Sequence, residues 1–184
     1  MKEITFITGN EHKLREAIEI LGVNIQQKSI DLPEIQSVEL KPVIEAKLKG
    51  AYEILQKPVI VEDVGFFSES LNGLPGALIK WFIETLGRDG IVKILEPFDN
   101  KKVTVVCAVG YTEDGETIHV FEGKVNGIVV PKRGESGFGF DPIFEPEGHS
   151  KTFAEMSAEE KNAISHRGRA FEKFKEFLEK NNIG

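Results

Sequence analysis

An α/β fold follows from three features of this 184-residue chain. Short β-branched and aromatic runs alternate with segments whose apolar residues recur every three or four positions, the pattern of strands packed beneath helices. Glycine, proline and capping residues mark most of the junctions. No internal repeat, low-complexity tract or linker interrupts the alternation, so one domain over 1–184 is expected.

Residues 4–7 form the first strand, and Thr8-Gly9-Asn10 breaks it. Leu14, Ala17, Ile18 and Leu21 then recur at helical spacing, with Asn10 placed as N-cap and Gly22 as the C-terminal glycine. A second strand is expected around 23–30. Pro42 suits the first turn of the next helix, which buries Ile44, Leu48, Ala51 and Leu55 and stops at Pro58. Val59-Ile60-Val61 is a buried strand ending in Glu62-Asp63. Two helices follow, near 77–86 and 89–95. Residues 102–111 and 116–125 are strand-like, and Asp114-Gly115 between them signals a hairpin. Residues 131–152, rich in Gly and Pro, read as an irregular functional loop. Ser157 and Glu160 frame a capping box, and a last helix over 168–180 aligns Phe171, Phe174, Phe177 and Leu178.

Composition excludes several classes of function. Lys and Arg total 23 and Asp and Glu total 30, a net charge of −7. Such a chain is poorly suited to tracking a nucleic acid or an anionic membrane, so neither partner is expected. A local basic pocket stays compatible with it. The single cysteine, Cys107, excludes an intrachain disulfide and a zinc site of several thiolates. Its apolar surroundings over 103–109 predict a buried thiol. The N-terminus carries no cleavage signature, and no segment reaches the roughly 20 apolar residues that span a bilayer. A soluble, cytoplasmic protein is expected.

Five motifs carry chemistry. Thr8-Gly9-Asn10-Glu11-His12-Lys13 is a strand–turn–helix junction. Free N–H groups and the positive dipole end there attract phosphate, Gly9 allows close approach, and Lys13 adds a cation. Taken alone, the segment fits an ordinary capped helix start equally well. Val61-Glu62-Asp63-Val64-Gly65 puts carboxylates at a strand's C-terminal end, where open α/β sheets bind ligands. An acid there can hold Mg²⁺ or take a proton from water. Glu62 and Asp63 point to opposite faces, so only one is expected to face a site. Glu34, in Leu32-Pro33-Glu34, reads by itself as a surface carboxylate. Ser136 to Phe144 combines glycines with aromatics. Phe138 there is free to stack on a planar base and Asp141 to accept from a base N–H, against the competing reading of aromatics plugging the core. Lys161, His166 and Arg167 gather donors for carbonyl or phosphate oxygens just before a helix.

Seven motifs stand in one order: Thr8-Gly9-Asn10 with Lys13, Leu32-Pro33-Glu34, Val61-Glu62-Asp63, Gly73-Leu74-Pro75-Gly76, Gly137-Phe138-Gly139-Phe140-Asp141-Pro142, Met156 to Lys161, and Ser165-His166-Arg167. In that order the chain resembles, over nearly its whole length, the inosine/xanthosine triphosphate pyrophosphatase family (the Ham1-like proteins). Thr8 stands where many members have serine, and both supply a hydroxyl. The resemblance implies a long mixed twisted sheet flanked by helices, in two lobes around a central cleft, and a homodimer. It implies Mg²⁺-dependent hydrolysis of ITP, dITP and XTP to the monophosphate and pyrophosphate. Thr8, Gly9, Asn10, Glu11, His12 and Lys13 would bind the triphosphate, with Val64 also touching substrate. Glu34 and Asp63 would hold Mg²⁺, and Asp63 would be the general base. Phe138, Gly139, Phe140, Asp141, Lys161, His166 and Arg167 would hold the nucleotide, mostly at its base.

These residue types suit the chemistry. Attack on a triphosphate needs positioning and charge neutralisation more than covalent help. Hypoxanthine presents an acceptor at O6 and a donor at N1, and adenine presents the reverse. A donor from Arg167 or His166 with an acceptor from Asp141 would reject adenine by leaving buried groups unpaired. Guanine shares the O6 and N1 pattern, so its 2-amino group must be excluded separately.

Overall fold

The computed structural model describes residues 4–22 and 25–183. Among the described residues a mixed seven-stranded sheet carries five α-helices, as the alternation predicts. The first strand, β1 (Thr5–Ile7), leads into α1 (Glu11–Leu21). The Asn10 side chain caps α1 by accepting from the N–H groups of His12 and Lys13, and Gly22 closes it at φ 67°. β2 (Gln26–Lys28) is shorter than expected and fully exposed, and residues 23 and 24 of the expected strand lie outside the described residues. α2 (Leu40–Leu55) has Pro42 in its first turn.

The next strand, β3 (Val59–Ser68), does not end at Asp63. Ladder pairing with β5 (Lys102–Thr112) along its whole length carries it past the polar pair. The short β4 (Pro75–Gly76) follows. The two helices expected near 77–86 and 89–95 abut in α3 (Ile79–Leu95), broken where Gly87 turns to φ 69°. β6 (His119–Val129) starts later and runs longer than expected. The Asp114 carboxylate makes a wider turn instead of a tight hairpin, accepting from the N–H groups of Glu116 and Thr117.

The loop over 131–152 contains a 3₁₀ turn at Asp141–Ile143 and a strand, β7 (Phe144–Pro146), that pairs with β6. Ser157 and Glu160 form the expected capping box of α4 (Ala158–Ile164). α5 (His166–Lys180) begins two residues before the expected start, because Ser165 serves as its N-cap and accepts from the Gly168 N–H.

Strand alternation sorts the core. Ile60, Cys107, Val109 and Tyr111 pack against α1 and α5, whereas Val59, Val61, Val106 and Ala108 pack against α2 on the other face. A separate cluster joins α3 to Phe66, Val103, Val125, Phe144 and Phe153 at the far end of the same strands. The first two clusters, on opposite faces of the sheet, make one lobe, and the third makes the other. The order β2-β1-β3-β5-β6-β7 explains the space between them. β5 fills one edge of β3 from Val59 to Ser68. On the other edge β1 pairs only with Val59 and Ile60, and β4 only with Phe66 and Phe67. Residues 61–65 therefore face a gap between two partial neighbours, and the acidic pair lies in it.

Candidate active site

A cleft of about 800 Å³ opens over this gap. Thr8, Gly9, Asn10, Lys13, Glu34, Asp63, Val64, Phe138, Gly139, Phe140, Asp141, His166 and Arg167 all line it. Segments far apart in sequence therefore converge, brought by β1–α1, β3, the Gly-rich loop and α5. Glu11, His12 and Lys161 do not line it. Glu11 is exposed on α1. His12 is also exposed, and its ring stacks on Phe138 with centroids 5.3 Å apart. Lys161 stands behind the wall, 2.9 Å from Asp141 Oδ2 and 3.1 Å from Glu16 Oε1.

At the turn after β1, the Asn10 N–H donates to Thr8 Oγ1, and Asn10 Oδ1 takes the N–H groups of His12 and Lys13. The helix start is thus largely self-capped, so the cation of Lys13 is its main attraction for phosphate. Glu62 and Asp63 do point to opposite faces of β3, yet both line the cleft, because the gap exposes the strand from each side. Asp63 Oδ2 lies 2.7 Å from Lys47 Nζ on the α2 face, and its Oδ1 accepts from the Val64 N–H at 2.8 Å. Glu62 faces α1 and α5, reaching Lys13, Arg167 and Cys107. Burial alone would raise the Glu62 pKa, but Arg167 and Lys13 hold it far below the usual carboxylate range. Cys107 is buried as expected, and burial and Glu62 push its thiol pKa well up.

Another part of the cleft wall is built by the Gly-rich loop and the start of α5. The Phe138 N–H donates to Asp141 Oδ2 and the Asp141 N–H to the Phe138 carbonyl. Gly137 permits this turn: it sits at φ 79°, and a Cβ there would lie 2.5 Å from the Asp141 carboxylate. Arg88 Nε fixes the loop from α3 by donating to the Gly139 carbonyl at 2.6 Å. Gly123 on β6 lets α5 approach, since a Cβ there would lie 2.0 Å from the His166 carbonyl. His166 is buried between Phe140 and Phe153, and its Nδ1 has no hydrogen-bond partner among the described residues. Burial first, then Arg167 and Lys161, push its pKa well below 6.5. Arg167 donates Nε and Nη2 to Glu62 and Nη1 to Glu16, three of its five N–H groups, which leaves two for a ligand. Phe140 is core, packed on Phe66 and Phe144, whereas Phe138 lines the cleft outside that cluster.

Sequence reasoning missed Lys47. Its Nζ lies 2.8 Å from Glu34 Oε1 and 2.7 Å from Asp63 Oδ2. On a helix with the apolar face Ile44, Leu48 and Ala51, a lysine reads as solvated, and only its distance from those acids in the fold reveals it. The hydrogen bond from Lys47 lowers the Glu34 pKa. The same geometry tests a metal site. Two hard oxygen donors already converge on one cation, which suits Mg²⁺. No group of three or more His, Cys, Asp or Glu residues forms a metal cluster among the described residues. Mg²⁺ needs none, because one or two carboxylates plus substrate phosphates suffice.

A model described as the Ham1 family matches residues 4–177. The chain belongs to the Ham1 family. The inosine triphosphate pyrophosphatase of Schizosaccharomyces pombe is 46% identical over 182 residues, 97% of this chain and 96% of that protein. The dITP/XTP pyrophosphatase of Methanopyrus kandleri is 43% identical over 185 residues, 98% of each. Among solved structures, the HAM1 protein of Coxiella burnetii superposes with a TM-score of 0.85 at 27% identity, covering 98% of this chain and all of that one. The Ham1 protein of Staphylococcus aureus gives 0.81 at 28%, with the same coverage. The two-lobed mixed sheet of this Ham1 protein is therefore that of its solved relatives.

Proposed function

We propose that this Ham1-family protein is a nucleoside-triphosphate pyrophosphohydrolase. It converts ITP, dITP and XTP to the monophosphate and pyrophosphate with Mg²⁺, removing deaminated purine nucleotides from the pool. The names of its relatives support the substrate class. The observation that carries the reading is the division of the cleft. Glu34, Asp63 and Lys47 make a charged end, and Phe138, Asp141, His166 and Arg167 make an end suited to a planar base.

Glu34 and Asp63 would hold Mg²⁺, which when bound neutralises charge on the phosphate oxygens. Asp63 takes a proton from the attacking water, and that water adds across the α–β anhydride, releasing pyrophosphate. Lys47 and Lys13 donate to phosphate oxygens beside the turn at Thr8, Gly9 and Asn10. Hypoxanthine stacks on Phe138. A remaining N–H of Arg167, or His166, donates to O6, and Asp141, braced by Lys161, accepts from N1–H. Adenine leaves those buried groups unpaired. The protein acts in the cytoplasm as a homodimer on free nucleotides, without nucleic-acid or membrane partners. The net charge of −7 supports the last point, and no helix among the described residues is long and apolar enough to cross a membrane.

Incubation with ITP, XTP, dITP, GTP and ATP plus Mg²⁺ tests the reading. Pyrophosphate release confined to the first three is expected. Orthophosphate release, or none, overturns it.

A further inference from the structure

Glu62 has no part in the chemistry proposed above, yet its side chain is 0% exposed at the floor of the cleft. Its two oxygens serve two different places. Oε2 lies 2.7 Å from Nζ of Lys13, in the first turn of α1 at the phosphate end. Oε1 accepts from Arg167 Nε at 3.2 Å and Nη2 at 3.0 Å, at the base end, and from Cys107 Sγ at 3.1 Å. One carboxylate on a central strand thus anchors a cation from each half of the cleft.

We infer that Glu62 is a positioning residue that couples base recognition to phosphate binding, an inference that rests on the pyrophosphohydrolase reading. A single buried carboxylate shared by two cations cannot meet them independently: whatever draws one cation away leaves more of the negative charge to the other. A triphosphate that pulls on Lys13 tightens the hold of Glu62 on Arg167, whose guanidinium carbon lies 5.0 Å from the centre of the Phe138 ring. Arg167 is then fixed with its two remaining N–H groups toward the base. A base that offers Arg167 no acceptor returns the strain along the same path to Lys13. Such coupling is reciprocal, so damage at the phosphate end must reach base selection.

The test measures dissociation constants of ITP and ATP by calorimetry without divalent cation, so that no turnover intervenes. Lys13→Met removes a side chain that is 17% exposed and replaces no residue of the Gly-rich loop or of α5. With Lys13 gone the charge of Glu62 is left to Arg167, so the ratio of ATP to ITP dissociation constants should rise by at least about fivefold, the low end of ordinary site-to-site coupling. A lysine that only binds phosphate would weaken both nucleotides by one factor, and that outcome overturns the inference. Glu62→Gln supplies a second readout on inorganic tripolyphosphate, which has no base. Released from its competing anion, Lys13 should bind tripolyphosphate more tightly, by roughly fivefold. Weaker binding in a folded variant would mark Glu62 as merely structural and overturn the coupling. A wild-type ATP to ITP ratio near one overturns the functional reading and the coupling with it. A high wild-type ratio that Lys13→Met leaves unchanged or lowers overturns the coupling alone.

Discussion

The ammonium of Lys47 stands 2.7 Å from Asp63 Oδ2 and binds Glu34 with its other side. Burial would lower the Lys47 pKa, but Asp63 and Glu34 outweigh it and raise it, so the lysine stays charged. A fixed cation therefore sits between the two carboxylates proposed to hold the metal. It aligns them in advance and competes with the ion for the same oxygens.

Lys47→Met should separate those effects. Loss of the competing charge should tighten Mg²⁺ binding to the free protein by roughly tenfold, about 1.4 kcal/mol. Turnover should fall by about 10²-fold, the usual cost of removing one donor to a transition-state oxygen. Calorimetric titration with Mg²⁺ and steady-state kinetics on ITP measure the two. Weaker Mg²⁺ binding would mean that Lys47 organises the carboxylates more than it competes.

Asp63→Asn keeps the shape of the side chain and an acceptor for the Val64 N–H. It removes the group that takes a proton from water. Turnover should drop by about 10²- to 10⁴-fold while nucleotide affinity stays near wild type. Rapid-mix chemistry and equilibrium binding of ITP distinguish this from lost binding. Near-normal turnover would sink the general-base assignment.

Local signals made most of the fold legible. Asn10, Gly22, Pro42, Ser157 and Gly87 act on their own neighbours, so the sequence shows the ends and the break that they impose. The overrun of β3 to Ser68 depends on a ladder with β5 some 45 residues away, since Glu62 pairs with Val109 and Asp63 with Ala108. β7 likewise exists because Gly127 to Val129 offer it an edge. The site divides the same way. Motif residues such as Asp63 and Arg167 were visible, whereas Lys47 and Glu16 acquire meaning only through partners across the fold.

Phe138 carries a prediction that separates base stacking from packing. One neighbour of its ring is His12, and Lys161 Nζ and the Arg167 guanidinium carbon each lie 5.0 Å from its centroid. A base that stacks on Phe138 must displace the exposed His12. Phe138→Ala should weaken ITP binding by roughly 1–3 kcal/mol, whereas His12→Ala should leave it equal or tighter. Equal losses in both variants would show that the His12–Phe138 stack itself supports the site.

His166 should set the pH dependence of stability above the carboxylate range. Its folded pKa is depressed, by burial first and then by Arg167 and Lys161, from an ordinary value of 6.5. The folded imidazole stays neutral while the unfolded one takes a proton as pH falls below 6.5. The unfolded state then binds more protons, so stability falls with falling pH, with a slope approaching about 1.4 kcal/mol per pH unit. Glu16 and Glu62 act in a lower window. Their folded pKa values lie below the ordinary 4.5, so the stability they contribute is present above that pH and lost beneath it. Between pH 6.5 and 5 the slope therefore belongs chiefly to His166. Urea unfolding at pH 7 and pH 5 should show a wild-type loss of about 1–2 kcal/mol that His166→Asn largely removes, whatever its absolute stability. An unchanged slope in the variant would assign the pH dependence to other groups.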